Sequence, residues 1–166
     1  MEKSKSQDNI FVSCESSSSW EEYFELIIKS IQTTRKSENI NDYYKFNVYL
    51  IDNEEIKKLN SEFLDNHYET DVLSFNFYEG WKNGKLIDET NLFPGEDSKN
   101  EIGEIYISIP KIQTQSLENG VSFSKELSTM AVHGALHLLG YNHEDILEEK
   151  IMFSKTDEIL KSIILE

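Results

Sequence analysis

The stretch HGALHLLGYNH, residues 133–143, contains three of the four histidines in the chain. His133 and His137 are four residues apart, so on a helix their side chains lie on one face, within reach of a single ion. Gly140 follows the last apolar residue of that helix, where a left-handed residue would end the helix and turn the chain back. That turn would bring His143 toward the other two histidines.

Three imidazoles without a fourth protein ligand are typical of a zinc site with one position open to water or substrate, whereas structural zinc sites are closed by four ligands. Burying several imidazoles without partners would also be costly. We therefore predict one zinc ion per chain, bound by His133, His137 and His143. The alternative is a pair of core histidines on an apolar helix with a third in a loop.

The composition indicates one acidic domain. The chain has 166 residues, and 31 acidic against 16 basic residues give a formal net charge of −15. Because non-specific nucleic-acid binding depends on lysine and arginine, this balance argues against a broad nucleic-acid surface, but not against a local groove or a metal that supplies positive charge. The chain has no long apolar run, no apolar signal-peptide core and a single cysteine, Cys14. These features predict a cytoplasmic protein without a membrane segment or a disulfide.

The hydrophobic periodicity predicts four strands and five helices. The strands are expected at 10–12, 44–51, 70–77 and 102–109, and the helices at 20–33, after Asp52, from Pro110 to Gly120, after Ser122 or Ser124, and from 144 onward. Residues 1–8 are expected to fray, and residues 79–100 to form a long mobile loop. The order of elements predicts a single α+β domain over residues 1–166, with one small mixed four-stranded sheet covered by helices.

The histidine stretch resembles the YbeY family of bacterial rRNA maturation endoribonucleases, whose pattern is His-Gly-x-Leu-His-Leu-x-Gly-Tyr-Asp-His. The chain matches this pattern except at Asn142, where the family usually has aspartate. Two other segments are similar to the family: Leu59-Asn60 followed by TDVLSF at 70–75, and Gly-Glu-Ile at 103–105, where the family more often has Gly-Asp-Ile. Spacing and order agree from about residue 45 to residue 155.

The resemblance implies a zinc-dependent endoribonuclease that cuts single-stranded RNA in small-subunit (16S) rRNA 3′-end maturation and ribosome quality control. It implies that His133, His137 and His143 are the metal ligands, and that the small ribosomal subunit and ribosome-assembly factors are partners. Many members of the family carry an arginine for RNA binding where this chain has Leu64. The guanidinium fork that would hold a phosphate by two hydrogen bonds is therefore absent at this position.

Other polar residues are candidates for the same site. Asp71 and Ser74 lie in the strand that the resemblance places near the cleft. Asp71 is a candidate proton acceptor or a group that orients a ligand, and bracing the start of the strand is the alternative. Ser74 and His67 are candidate substrate contacts, although a solvated side chain is the alternative for His67. Asn142 is either a partner of a metal ligand or a turn residue in left-handed geometry.

Three classes of function remain open. The first is a hydrolytic endoribonuclease, in which zinc would lower the pKa of its water toward about 7 and polarise the scissile phosphate. The second is a metallopeptidase, but zincins place a glutamate base directly after the first histidine, where this chain has Gly134. The third is a non-catalytic, zinc-containing module that binds the ribosome, a hypothesis that Leu64 and the net charge of −15 leave open.

Overall fold

The computed structural model describes residues 2–64, 70–77, 80–86 and 100–163. In these residues the elements are β1 (Glu2–Gln7), β2 (Ile10–Glu15), α1 (Phe24–Ser37), β3 (Lys45–Ile51), α2 (Asn53–Leu64), β4 (Val72–Asn76), β5 (Trp81–Lys82), β6 (Lys85–Leu86), β7 (Glu101–Ser108), α3 (Ile109–Asn119), α4 (Phe123–Leu138) and α5 (Ile146–Lys161). A short 3-10 turn at Trp20–Tyr23 precedes α1.

Five strands form one mixed sheet in the order β1-β2-β3-β7-β4. Strands β2, β3 and β7 run parallel, while β1 and β4 are antiparallel edge strands. Helices α1 and α4 pack against one face of the sheet, and the main hydrophobic core lies between them. The α+β prediction is confirmed, with five strands in the sheet instead of four. Within the described ranges, no helix has the length and apolar character needed to cross a membrane.

The additional strand lies at the N-terminus, so the expectation that residues 1–8 fray is wrong for residues 2–7. These residues pair with β2 along the whole of β1. Asp8 and Asn9 take φ angles of 52° and 62°, the left-handed pair that a tight two-residue hairpin requires. Lys3 and Lys5 form ion pairs with glutamates near α1. The strand is polar because charged residues protect a sheet edge, so hydrophobic periodicity does not reveal it.

The predicted loop 79–100 begins as a hairpin. Strands β5 and β6 pair around Asn83 and Gly84, whose φ angles are 48° and 84°. Trp81 on β5 is only 7% exposed and belongs to the main core. The hairpin therefore forms part of the packed domain, while residues 87–99 lie outside the described part of the chain.

Helix α4 lies directly against the sheet. A Cβ atom at Gly134 would lie 2.8 Å from Cγ2 of Ile105 on β7, so a glycine allows this close approach. One face of α4 and of the turn directly after it is fully buried, at Val132, Ala135, Leu136 and Leu139. The opposite face carries His133 and His137, which are only partly buried. The packing of α4 thus determines which way the two histidines face.

Polar side chains cap the N-termini of the helices largely as predicted. Asp52 accepts a hydrogen bond of 2.8 Å from a backbone N–H in the first turn of α2, and Ser122 accepts one of 3.1 Å at the start of α4. Asp145, expected inside the last helix, instead precedes α5 and accepts a backbone N–H at 2.8 Å. These bonds satisfy N–H groups that have no partner within the helix.

The turn after α4 is built on Gly140, which has a φ angle of 90°. The N–H of Gly140 donates to the carbonyl of His137, and the N–H of Tyr141 donates to the carbonyl of Leu136, both at 3.0 Å. These two bonds define a Schellman motif, which reverses the chain at a helix end. The predicted left-handed turn that leads to His143 is confirmed.

Replacing Gly140 with alanine should destabilise the protein more than replacing Gly120, the left-handed residue that ends α3. A left-handed alanine costs about 1–2 kcal/mol at either position, or about 3–6 °C in Tm for a chain of this length. At Gly140 the new Cβ would also lie 2.2 Å from the carbonyl oxygen of Trp81, whereas nothing lies within 4 Å at Gly120. Thermal unfolding followed by circular dichroism measures both variants. Equal decreases in Tm would show that the hairpin does not press on the turn.

Candidate metal centre

Three histidine rings converge at the C-terminal end of α4. The Nε2 atoms of His133 and His137 are 3.1 Å apart. The turn at Gly140 brings in His143, so that one nitrogen from each ring lies within 4.8 Å of the others. His133 and His137 are partly buried, and His143 is exposed. The structure therefore brings together the three histidines that the sequence singles out, with one of them open to solvent.

A backbone carbonyl orients the ring of His137. Its Nδ1 lies 3.0 Å from the carbonyl oxygen of Tyr141. Because a carbonyl can only accept a hydrogen bond, Nδ1 of His137 carries the proton. In the neutral ring, Nε2 then has a free lone pair, which faces His133. This is the arrangement by which proteins orient a metal-binding imidazole.

Burial keeps the two helical histidines neutral. Desolvation, reinforced by His137 and His143, lowers the pKa of His133 to about 4, although the Asp71 carboxylate opposes this shift. Desolvation, followed by the influence of His143, also lowers the pKa of His137. Both rings are therefore uncharged at neutral pH, and an uncharged imidazole is the form that binds a metal.

This donor set fits a divalent metal ion. The Nε2 lone pair of His137 faces Nε2 of His133 across 3.1 Å, and the third ring completes a triangle. Among the described residues, this is the only group of three or more histidine, cysteine or acidic side chains close enough to share an ion. Three imidazoles without a fourth protein ligand would leave a position on a bound ion open to water or substrate, unlike a structural site that is closed by four ligands.

The histidines lie in a cleft of about 560 Å³ between α4 and β4. The hairpin and the turn after α4 form its other walls. Besides the histidines, its described lining residues are Thr70, Asp71, Val72, Leu73, Ser74, Asn76, Trp81, Gly140, Tyr141 and Asn142. The cleft is thus large enough for a ligand to reach the exposed side of the cluster.

Two side chains attach β4 to α4 across the cleft. The hydroxyl of Ser74 donates to the carbonyl of Gly134 at 3.2 Å, and the amide of Asn76 donates to the carbonyl of Leu138 at 2.7 Å. Ser74 lies in the cleft as expected, and its hydroxyl proton is donated to a backbone carbonyl of α4. Asn76 was not singled out from the sequence, although strand alternation places it on the same face as Ser74.

Asp71 lies in the cleft immediately before β4. Its Oδ1 accepts the N–H of Val72 at 2.8 Å and the hydroxyl of Thr70 at 3.3 Å, and its Oδ2 accepts the amide of Gln115 at 3.3 Å. These bonds brace the start of β4 and fix the orientation of the carboxylate. His67, the other candidate substrate contact, lies outside the described residues.

The turn that carries His143 is held from three sides. The hydroxyl of Tyr141 donates to the Glu38 carboxylate at the end of α1, and Lys155 of α5 pairs with the same carboxylate at 3.3 Å. The N–H of Gly84 in the hairpin donates to the carbonyl of Leu139 at 2.8 Å. Glu38 is far from this turn in the sequence, so no local pattern could have indicated the contact.

Asn142 lies in the cleft with an exposed side chain. It is not among the residues with positive φ. The alternative that Asn142 is a left-handed turn residue is therefore wrong, because Gly140 alone supplies that geometry in the turn.

The chain is similar to known proteins over most of its length. A family model described as endoribonuclease YbeY matches residues 10–164. A protein named endoribonuclease YbeY from Bacillus cereus is 37% identical over 142 residues, which cover 86% of this chain and 87% of the relative. A protein of the same name from Geobacillus thermodenitrificans is 40% identical over 139 residues, which cover 84% of this chain and 85% of the relative.

A solved structure has the same fold. A solution structure from Thermotoga maritima is 27% identical and superposes with a TM-score of 0.59. The match covers 92% of this chain and 87% of that chain. Nearly all of the described sheet and helices thus have counterparts in a known structure.

Proposed function

The chain belongs to the endoribonuclease YbeY family, and we propose that it is a metal-dependent endoribonuclease specific for single-stranded RNA. The observation that carries this proposal is the cluster of three histidine nitrogens in an open cleft. We propose His133, His137 and His143 as the ligands of one metal ion per chain. Three imidazoles and no carboxylate in the set favour Zn²⁺ over Mg²⁺ or Ca²⁺.

When bound, zinc would supply positive charge to the scissile phosphate and lower the pKa of a nearby water molecule. The surroundings of the two helical histidines keep both rings in the neutral form that binds a metal ion. The carbonyl of Tyr141 holds the proton of His137 on Nδ1, and burial keeps His133 neutral. Both rings can therefore offer nitrogen lone pairs without first losing a proton, which would otherwise compete with metal binding.

A metal ion also explains how an acidic protein could hold a phosphate. The net charge is −15, and no lysine or arginine is among the described residues that line the cleft. The ion would be the largest positive charge at the site, and it would reverse the local effect of the surrounding carboxylates. Leu64 in place of the family's arginine then matters less for phosphate binding.

We propose Asp71 as a further catalytic residue, with its carboxylate oriented by Val72 and Gln115. Its place in the lining of the same cleft as the three histidines supports this assignment. Ser74 and His67 are proposed substrate contacts, and the position of Ser74 in the cleft supports its assignment.

We propose the 3′ end of precursor 16S rRNA as the substrate, within the small ribosomal subunit and together with ribosome-assembly factors. This part of the proposal rests on the family resemblance. A peptidase is disfavoured because the zincin base would replace Gly134, where even a Cβ would lie 2.8 Å from Ile105 and 3.4 Å from Ser74.

The decisive experiment is cleavage of a labelled RNA that spans the 3′ end of precursor 16S rRNA. We expect zinc-loaded protein to cut the free single strand and to spare the same RNA annealed to its complement. Whole small subunits carrying the precursor serve as a second substrate. A zinc-loaded protein that cut none of these would instead support the non-catalytic binding module.

A further inference from the structure

The face of the sheet opposite α1 and α4 carries a row of aromatic rings. Phe11 of β2, Tyr49 of β3, Tyr106 of β7, Phe75 of β4 and Phe63 of α2 follow one another, with ring centroids 6.1, 5.0, 5.8 and 5.6 Å apart. None of these rings is fully buried, and Phe63 is 63% exposed. Tyr49, Tyr106 and Phe75 pack on a small second core of buried residues, whereas Phe63 at the end of the row leaves most of its surface exposed.

The row ends in a groove of about 290 Å³, which we call the aromatic groove. Its apolar walls are Leu59 and Phe63 of α2, Phe75 of β4, Phe77 directly after β4, and Tyr106 of β7, and Asn76 at the end of β4 also lines it. Glu104 of β7 is the only charged residue among its described lining residues. An apolar recess with a few convergent polar groups is the usual form of a small ligand site.

The aromatic groove and the metal cleft lie on opposite faces of the edge strand β4. Phe75 faces the groove and Ser74 faces the cleft, as strand alternation requires. Asn76, at the end of β4, lines both recesses. A single-stranded ligand that passed over this end of β4 would contact the groove and the metal site together.

We propose that the aromatic groove binds one unpaired base of the RNA substrate, stacked against its rings, while Glu104 accepts hydrogen bonds from the base edge. This inference rests on the proposed function. Aromatic side chains bind bases of single strands without contacting phosphate. That mode suits a chain with a net charge of −15 and no lysine or arginine among the described lining of either recess.

Glu104 would make the groove selective among bases. The hydroxyl of Tyr106 donates to Oε2 of Glu104 at 2.5 Å, and the other carboxylate oxygen has no hydrogen-bond partner in the described ranges. Burial and this bond raise the pKa of Tyr106, so its hydroxyl stays a donor. A carboxylate accepts two adjacent N–H groups from guanine, whereas uracil offers a single N–H between two carbonyls. We therefore expect guanine to be preferred over uracil.

The test compares Phe63→Ala with Phe153→Ala, a control on α5 whose ring is 49% exposed and lies outside both recesses. Phe63→Ala should raise the KM for single-stranded RNA about 5- to 10-fold. This increase corresponds to the lower end of the binding free energy that one base stacked on an aromatic ring contributes. Its kcat and zinc content should stay unchanged, and the increase in KM should persist at high salt. Phe153→Ala should behave as wild type.

Base selectivity is tested by competition against the labelled substrate. Two inhibitors are used, a short oligouridine and the same strand with one guanosine. With wild type, the guanosine strand should inhibit at a lower concentration. Glu104→Gln should reduce this difference, because an amide presents a donor where guanine needs an acceptor. Equal inhibition of wild type by the two strands would overturn the role of Glu104.

The outcomes separate the two proposals. If the wild type cuts no RNA, the proposed function fails, and this inference fails with it. If the wild type cuts RNA and Phe63→Ala leaves KM unchanged, the inference alone is overturned. A wild-type dimer that Phe63→Ala converts to a monomer in sedimentation would assign the aromatic groove to a second copy of the chain. Capture of a basic peptide that Phe63→Ala abolishes, with RNA binding intact, would assign it to a protein partner.

Discussion

The variant His137→Ala is expected to lose both its metal and its RNA cleavage. The substitution removes the nitrogen that faces His133 at 3.1 Å and leaves only one histidine of the cluster on α4. Loss of a group that merely supports a metal ligand costs up to about 100-fold in affinity or activity, so loss of a ligand should cost at least that much. Elemental analysis for zinc and cleavage of single-stranded RNA are measured on the same preparation.

A matched control is available in the same turn. Asn142→Ala changes an exposed side chain that lines the cleft and does not belong to the histidine cluster. We expect it to retain zinc, while circular dichroism checks that both variants keep the fold. Full cleavage by folded His137→Ala protein would contradict the assignment of this ligand. Equal loss of zinc in both variants would indicate that the turn, and not the imidazole, holds the metal.

The histidine cluster could be predicted because its geometry is local. Helical periodicity determines the spacing of His133 and His137, and one left-handed glycine determines the turn that returns His143. The same local logic holds for the helix that begins after Asp52 and for the helix that ends at Gly120. Each of these features depends on hydrogen bonds between residues a few positions apart.

Features that depend on distant residues could not be predicted in this way. The bond from Tyr141 to Glu38 joins the turn after α4 to the end of α1. Trp81 becomes part of the core only because the hairpin packs against the turn at Gly140. In both cases the tertiary fold determines which two segments are in contact. No local sequence pattern in either segment predicts that contact.

The polar strand β1 and the aromatic row show a second limit of prediction from hydrophobic periodicity. Lys3 and Lys5 lie in a strand that hydrophobic periodicity does not detect, because backbone pairing needs no apolar side chain. Hydrophobic periodicity did predict the strand over 44–51, which is β3. The order of the strands in the sheet determines which aromatic rings lie beside those of β3. It places Tyr49 of β3 next to Tyr106 of β7.

Removing the metal with a chelator should abolish RNA cleavage while leaving most of the fold intact. The core between the sheet, α1 and α4 is built from apolar side chains and does not include the histidines. Far-ultraviolet circular dichroism should therefore change little. Restoring about one equivalent of Zn²⁺ should restore cleavage, whereas Mg²⁺ should not, because Mg²⁺ prefers oxygen ligands and three imidazoles suit zinc.

The metal-free protein also distinguishes the enzyme from a binding module. Zinc that binds only the folded state raises Tm by mass action whether or not the site is catalytic. Recovery of both Tm and cleavage on adding zinc supports a metal-dependent nuclease. A rise in Tm without cleavage of free RNA or of whole small subunits would make the zinc a purely structural ion. Full cleavage in the chelated protein, with zinc shown to be absent, would contradict a metal mechanism altogether. The His137→Ala protein, treated in parallel, should respond to zinc in neither measurement.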